Sequence, residues 1–212
     1  MNPFIGSATL SLEAYIVGSN YASSQAPALA VAEIDGLQQL VIAWTGTDSK
    51  HHLNVSSSFD VNPSNTWSKT IVLNQLATGG PSLAYFDNTL YIDWAGTDGN
   101  HTLNLASAEV NSLFFGTAQP VKIPGSGNFT SPNAPSLTST ANLNYEWRGE
   151  GNSISIEYYP DPANQTNPVD KPSMGTIPGI TTGAPPALAT FSGAFWVGWI
   201  DLSNNLQVGQ VP

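Results

Sequence analysis

The sequence predicts an all-β protein built from four repeated units, because three features recur once in each unit. A Pro-x-Leu triplet returns at spacings of 54, 54 and 51 residues, and a tryptophan follows each triplet at spacings of 50, 53 and 52. A short apolar alternation such as Leu53-Asn54-Val55 follows each tryptophan. The triplets begin at Pro27, Pro81, Pro135 and Pro186, and the tryptophans are Trp44, Trp94, Trp147 and Trp199. Recurrence of all three features at one period indicates a tandem repeat.

Each unit is predicted to contain short strands separated by turns. In the second unit the first three strands cover residues 83–86, 90–94 and 103–107, with a turn at Asp87-Asn88. Apolar residues alternate with polar ones along these segments, which is the period of a half-buried strand. Asn and Gly suit the turns because they tolerate positive φ. A weaker fourth strand is expected at residues 70–73, 120–123 and 175–177.

Four strands in a unit of about 50 residues form the blade pattern of a β-propeller. We therefore expect four blades of four antiparallel strands. The last unit holds three strands, and Ala14-Tyr15-Ile16-Val17 precedes the first unit where a fourth strand is needed. The N-terminal strand is thus predicted to complete the C-terminal blade and close the ring, leaving no sheet edge exposed. Closure by assembly with a second copy is the alternative.

The repeats divide the chain into blades of one propeller domain that spans residues 1–212. The approximate boundaries are 26–79, 80–133, 134–184, and 185–212 together with 1–25. Four blades suffice to close a ring, so we expect a monomer or a small homo-oligomer.

Charge excludes several classes of partner. The chain has a formal net charge of −10, and only five of its 212 residues are Lys or Arg. Nucleic acids and anionic membrane surfaces both require clustered basic residues, so neither is an expected partner. Cysteine is absent, which excludes thiolate zinc sites and thiol nucleophiles.

The N-terminal region does not resemble a signal peptide. It lacks a basic segment followed by a long apolar run, and no segment of the chain approaches ~18 consecutive apolar residues. We therefore expect a soluble protein that does not cross a membrane. The compartment stays open between the cytoplasm and secretion by a non-classical route or after removal of a leader.

Two turns carry a family resemblance. Residues 42–48 (Ile-Ala-Trp-Thr-Gly-Thr-Asp) and 92–99 (Ile-Asp-Trp-Ala-Gly-Thr-Asp-Gly) resemble the turn between the second and third strands in microbial lectin-like and sialidase-like β-propellers. Residues 58–67 are similar to a loosened Asp-box of such blades. The third and fourth units depart from this pattern, with Arg-Gly-Glu-Gly-Asn at 148–152 and Ile-Asp-Leu-Ser-Asn at 200–204. The resemblance implies the fold, whereas propellers host many functions.

Polar residues of these turns are the first candidate ligand contacts. Asp48 and Asp98 occupy equivalent positions, where a carboxylate either caps its own turn or contacts a ligand. His51 and His101 are also equivalent, and imidazole with carboxylate suits several divalent ions. Loop tips one blade apart are too distant to share an ion, so no metal site is predicted there. Asn100 belongs to the same turn in the second unit.

The sequence argues against catalysis. A sialidase-like site needs an arginine cluster for the substrate carboxylate, and Arg148 is the one arginine of the chain. Pairs of acids suited to glycoside hydrolysis are plentiful, but none forms a recognisable constellation. Asp93 and Glu146 precede Trp94 and Trp147, and cross-blade hydrogen bonding is their favoured role. We therefore expect that the protein is not an enzyme.

The four repeat tryptophans allow two interpretations, as core between blades or as platforms on which sugar rings stack. With a polar, weakly charged rim, they favour a lectin-like propeller that binds neutral glycans or glycoproteins. A protein-interaction scaffold is the second hypothesis and a glycan-active enzyme the third. No cofactor is predicted, apart from a divalent cation such as calcium in the central channel. The predicted ligand contacts are Trp44, Asp48, His51, Trp94, Asp98, Asn100, His101, Trp147, Arg148 and Trp199.

Overall fold

The computed structural model describes residues 22–23, 25–34, 36–59, 67–109, 113–121, 128–139, 143–159, 173–191 and 194–211. Within these residues the chain forms four antiparallel sheets and a single 3-10 turn at Glu150–Asn152. The predicted four-bladed, all-β propeller is confirmed. No helix in the described ranges is long and apolar enough to cross a membrane.

Each sheet is one blade, numbered 1 to 4 along the chain. Blade 1 comprises β1 (Ala28–Ile34), β2 (Leu37–Thr45), β3 (His52–Ser58) and β4 (Ile71–Leu76). Blade 2 comprises β5 (Ser82–Phe86), β6 (Thr89–Ala95), β7 (Leu103–Glu109) and β8 (Gln119–Pro120). Blade 3 comprises β9 (Ser136–Ser139), β10 (Leu143–Arg148), β11 (Ser153–Tyr159) and β12 (Ser173–Thr181). Blade 4 comprises β13 (Ala187–Phe191), β14 (Ala194–Ile200) and β15 (Leu206–Val211).

The turns form where the sequence places them. Asp87 and Asn88 join β5 to β6 with φ of 45° and 57°, as a tight hairpin turn with two left-handed residues requires. The fourth strand predicted for blade 4 from residues 14–17 lies outside the described residues.

Apolar side chains fill the spaces between consecutive blades. Val41 and Ala43 of blade 1 belong to one cluster with Ile92 and Trp94 of blade 2. Tyr91 and Leu103 of blade 2 cluster in turn with Tyr145 and Trp147 of blade 3. The third interface holds Ile154 and Ile156 of blade 3 against Val197 of blade 4. Each buried Val, Leu or Ile side chain among them stabilises the fold by roughly 1.5–3 kcal/mol through removal of apolar surface from water.

Connections between blades are fastened to the next blade by backbone hydrogen bonds. The Thr78 N–H donates to the Ala95 carbonyl at 3.0 Å, and the Gly183 N–H donates to the Ile200 carbonyl at 2.8 Å. Because Ala95 and Ile200 end the second strands of their blades, the connections lie beside the turns that follow those strands. These turns and connections therefore gather on one rim of the propeller.

The Pro-x-Leu triplets begin the inner strands and surround a cavity of about 510 Å³ on the propeller axis. Serine at the middle position links neighbouring blades. The Ser82 hydroxyl accepts a hydrogen bond from the Leu137 N–H at 2.8 Å, and the Ser136 hydroxyl accepts one from the Leu188 N–H at 3.1 Å. In blades 1 and 4 alanine occupies this position and offers no such acceptor.

The middle residue of each triplet pairs with a residue of the second strand, and the identities of these two residues are correlated. Ser82 pairs with Asp93 and Ser136 pairs with Glu146 across their strands. The alanine triplets face small residues instead, in the pairs Ala28–Ala43 and Ala187–Gly198. The polar pairs therefore occur together in blades 2 and 3, and the small pairs together in blades 1 and 4.

Both buried acids lack full hydrogen bonding within the described residues. Asp93 Oδ1 accepts a hydrogen bond from the Ser82 N–H at 3.2 Å, whereas Asp93 Oδ2 and both Glu146 oxygens have no partner there. The expectation that these acids bridge blades is wrong, because the serine hydroxyls make those bonds. Burial raises the pKa of Asp93 well above its ordinary value and that of Glu146 to about 8.

Glu146→Gln should remove a pH dependence of stability. Between its ordinary pKa of 4.5 and about 8, Glu146 keeps its proton when folded and loses it when unfolded. The free energy of unfolding therefore falls as pH rises through this window, by up to about 1.4 kcal/mol per pH unit. Urea unfolding of both proteins at pH 5 to 8 should show a shallower slope in the variant. Glu33→Gln, at an exposed position of β1, is the control; equal slopes for Glu146→Gln and wild type would contradict the prediction.

Gly80→Ala should destabilise the ring, because an added Cβ would overlap the Ala26 carbonyl oxygen of the neighbouring blade. We expect a loss of about 1–3 kcal/mol in the free energy of unfolding, the range of an overpacked site. Gly99→Ala is the matched control, since a Cβ there meets no atom within 4 Å. Chemical denaturation gives the free energy of unfolding of both variants. Similar losses of stability would show that the close contact between Gly80 and Ala26 does not constrain the fold.

Candidate ligand-binding site

The turns between the second and third strands differ in length but have one backbone feature in common. The hydrogen bond that closes the turn joins Gly46 to His52 and Gly96 to Thr102 in blades 1 and 2, but Gly149 to Ser153 and Asp201 to Asn205 in blades 3 and 4. Each turn contains a non-glycine residue with a left-handed conformation: His51, His101, Asn152 and Asn204 have φ of 60°, 52°, 66° and 64°. The left-handed residue is therefore common to all four repeats, whereas the Gly-Thr-Asp sequence accompanies the longer turns of blades 1 and 2.

Aspartates stabilise these turns. Asp48 accepts hydrogen bonds from the Lys50 N–H at 3.0 Å and from the His52 N–H at 3.1 Å. In blade 2 Asp98 accepts bonds from the Asn100 N–H at 3.0 Å and from a second backbone N–H at 3.1 Å. The sequence allowed these aspartates either to cap their own turns or to contact a ligand, and the hydrogen bonds show that both cap their turns.

The hydrogen bonds also fix the charge state of both aspartates. Desolvation in the turn would by itself raise each pKa, but at Asp48 the bonds from the His52 side chain and from the Lys50 and His52 N–H groups outweigh it. At Asp98 the bonds to Thr102 are the strongest of those that lower the pKa. Both carboxylates are therefore ionised at neutral pH.

His52, rather than His51, lies beside the carboxylate of blade 1. Its Nδ1 is 2.8 Å from Asp48 Oδ1. His51 and His101 instead turn Nδ1 toward the carbonyls of Gly46 and Gly96, each at 3.4 Å. Across the described ranges, no three His, Asp or Glu side chains converge as metal ligands would. A cation in the central channel remains a prediction.

Arg148 braces its own turn. Its Nε donates to Asn152 Oδ1 at 3.1 Å, and Nη2 donates to the same oxygen. Nη1 lies 3.4 Å from the Gly183 carbonyl, on the connection into blade 4. The guanidinium thus holds together the two segments that meet at this part of the rim.

The repeat tryptophans differ in accessibility. Trp94 and Trp147 are only 2% and 3% exposed, so their expected role as stacking platforms for sugars is corrected: no ring face is open to a ligand. Trp199 is half-buried against blade 3. Trp44 is also buried, but it forms part of the wall of a surface cavity.

This cavity, which we call the turn cavity, has a volume of about 520 Å³ and lies at the β2–β3 turn of blade 1. Trp44, Asn54 and Val72 form one row across β2, β3 and β4, because Trp44 pairs with Asn54 and Asn54 with Val72. The side chains that distinguish it are Trp44, Asp48, Lys50, His52, Asn54 and Val72.

Of the residues predicted as ligand contacts, the structure brings Trp44 and Asp48 together in the turn cavity. His52, Asn54 and Val72 were missed. Strand alternation could have identified two of them, because His52 and Asn54 are two residues apart and share the face of Trp44. Val72 depends on the pairing of β3 with β4, which contains a register shift between His52 and Asn54 that no sequence pattern reveals.

No protein-family profile matches the sequence, and no curated protein matches it either. Solved structures do match the fold. The fucose-specific lectin from Aleuria aurantia superposes with a TM-score of 0.57 at 15% identity, over 92% of this chain and 59% of the lectin. Trypanosoma rangeli sialidase gives 0.56 at 16% identity, over 86% and 35%. A glycoside hydrolase family 43 arabinoxylan arabinofuranohydrolase from Bacillus subtilis gives 0.54 at 14%, over 88% and 47%.

These similarities overturn the expectation that the protein is not an enzyme, because a sialidase and a glycoside hydrolase share its fold alongside a lectin. The lack of an arginine cluster bears on one reaction and not on catalysis in general. The chain spans between about a third and three fifths of the length of these three proteins. What the comparison establishes is the architecture: the chain folds as the lectin and sialidase β-propellers do.

Proposed function

We propose that this protein binds carbohydrate in the turn cavity of blade 1. The observation that carries the proposal is the juxtaposition of an aromatic side chain, Trp44, with an ionised carboxylate, Asp48, in a cavity of about 520 Å³. Known ligand pockets span roughly 300–1,000 Å³ and combine apolar walls with a few placed polar groups. A sugar presents both surfaces, since its C–H faces are apolar and its hydroxyls are polar.

The polar groups of the cavity retain capacity for a ligand. A carboxylate offers about four lone-pair sites, and Asp48 uses three of them for Lys50 and His52. The Asn54 amide uses one N–H for the His52 carbonyl at 2.9 Å and keeps a second N–H. Lys50 adds up to three donors. The cavity therefore offers both acceptors and donors. Sugar hydroxyls can use both, because each hydroxyl group donates one hydrogen bond and accepts others.

The composition of the chain and the comparisons support the same ligand class. Nucleic acid and anionic surfaces are disfavoured by a net charge of −10. The similar proteins are a fucose-specific lectin, a sialidase and an arabinofuranohydrolase, whose names all refer to sugars. At 14–16% identity they indicate a class of ligand rather than a particular sugar.

Asp48→Ala should weaken sugar binding, and Asp98→Ala should leave it unchanged. Both aspartates cap equivalent turns, so the two variants should lose similar amounts of folding free energy. Only Asp48 lines the turn cavity, and loss of a charged acceptor should weaken sugar binding at least about tenfold. A glycan array would identify the ligand, and titration followed by tryptophan fluorescence would give the dissociation constants.

The same titrations separate the alternatives. Equal loss of affinity in the Asp48 and Asp98 variants would place binding elsewhere and contradict the proposal. An array without any hit would also contradict it and favour the protein-interaction scaffold. Mass spectrometry of each bound glycan after overnight incubation would show whether binding is followed by cleavage.

A further inference from the structure

The end of blade 1 opposite the turn cavity contains a second cavity, with a volume of about 540 Å³. Ile34 is the last residue of β1, Ser57 lies near the end of β3, and Ile71 begins β4, so these three residues meet at one end of the sheet. Blade 2 adds Leu113 and Phe114 from the connection between β7 and β8. We call this space the strand-end cavity.

The strand-end cavity lies on the face of blade 1 that packs against blade 2. Ile34 belongs to the buried cluster between these two blades, and Ile71 and Leu113 pack against the same cluster. Val72, which lines the turn cavity, follows Ile71 and therefore points to the other face of β4. The two cavities lie at opposite ends and on opposite faces of blade 1 and share no residue. A ligand in one cavity therefore does not touch the other.

The apolar wall of the strand-end cavity joins the core to the surface. Ile34 is only 8% exposed and belongs to the core. Leu113 and Phe115 pack inward against the cluster between the blades, whereas Phe114 between them is 73% exposed. An open aromatic ring beside a wall that continues into the core favours a ligand with an apolar body, because such a body would remove the ring from water.

The polar wall of the cavity carries a positive charge. It is formed by Ser57 and by residues 68–70, which lead into β4. Lys69 is exposed, and no acidic side chain lines the cavity in the part of the chain that the structure describes. In the same part of the chain the buried hydroxyl oxygen of Thr70 has no hydrogen-bond partner. An ammonium group without an acid and a hydroxyl without an acceptor both favour an anionic group on the ligand.

The amount of positive charge limits the size of the anion. Nucleic acids and anionic membranes need clusters of basic residues, whereas Lys69 is a single cation in a chain of net charge −10. A small molecule with one anionic group needs no more than one cation. The volume of the cavity agrees with this ligand, since pockets for small molecules span roughly 300–1,000 Å³.

We propose that the strand-end cavity binds an amphipathic monoanion, with a carboxylate at Lys69 and an aliphatic body against Phe114 and the apolar wall. The turn cavity is chemically different, because Lys50 shares that space with Asp48 and His52. The proposal concerns another site and another class of ligand than the proposed function, and it does not depend on that function.

Octanoate and octanol test the charge preference, because they share an aliphatic chain and differ in the charge of the head group. Lys69→Gln should weaken octanoate binding about two- to fivefold, the effect of losing one exposed ion pair, and leave octanol binding unchanged. Lys50→Gln, in the turn cavity, is the matched control and should change neither affinity. Titration calorimetry of the three proteins with both molecules gives the dissociation constants.

Phe114→Ala tests the apolar contact. This substitution should weaken the binding of octanoate and octanol alike, by about tenfold, because both aliphatic chains lose the aromatic ring. Phe59→Ala is the matched control, since Phe59 is 67% exposed just after β3 but does not line the cavity. Both phenylalanines are exposed, so neither variant should unfold, and urea denaturation checks this.

Several results would overturn the proposal. Absence of octanoate binding at millimolar concentration would do so, as would an octanoate affinity that Lys69→Gln leaves unchanged or that Phe114→Ala and Phe59→Ala lower equally. A dimer that ultracentrifugation detects, and that Phe114→Ala dissociates, would instead assign the exposed ring to contact with a second copy. Sugar titration of the Lys69 and Phe114 variants should match that of the unaltered protein, so the two proposals fail or succeed separately.

Discussion

Every blade of this protein is a thin sheet with two apolar faces, and both faces must be covered. A helix buries one stripe and turns the other side to water, but here Ile92 and Tyr91 are adjacent, point in opposite directions and are both buried. At the three interfaces between consecutive blades, each blade is covered by its neighbour, which arranges the sheets side by side around the central cavity. The connections that fasten Thr78 to Ala95 and Gly183 to Ile200 then set the blade spacing. The turn cavity lies on blade 1, on the face of β2 opposite to the one that packs against blade 2.

Much of this architecture could be predicted from the sequence. The Pro-x-Leu triplets and the repeat tryptophans are in phase because each marks a fixed place in a blade, so counting spacings was enough to obtain blade number and strand order. Asp87 and Asn88 were placed in the correct turn because their backbone preferences are local. Properties that depend on residues near in sequence, or on strict periodicity, are accessible without coordinates.

The site was harder to predict because it depends on contacts between strands. His51 and His52 are adjacent and chemically identical, and only the left-handed backbone of His51 directs the second imidazole toward Asp48. Asp93 and Glu146 were expected to join blades, yet the serines opposite them make those bonds. The burial of Trp94 and Trp147 removed two predicted contacts, since a repeat position shows equivalence but not accessibility. The expectation of a non-catalytic protein failed for another reason: one missing residue type excludes one reaction, and the fold is shared with enzymes.

The matched pairs on the inner and second strands have a consequence for how such a repeat can be rebuilt. Serine accompanies an acid in the two central blades, and alanine accompanies a small residue in the outer two. Suppose that a blade is designed by choosing the most frequent residue at each position separately. Such a design would combine the two kinds of pair, placing a carboxylate opposite alanine or a serine opposite glycine. The unit that can be exchanged between blades is therefore the hairpin of first and second strands together.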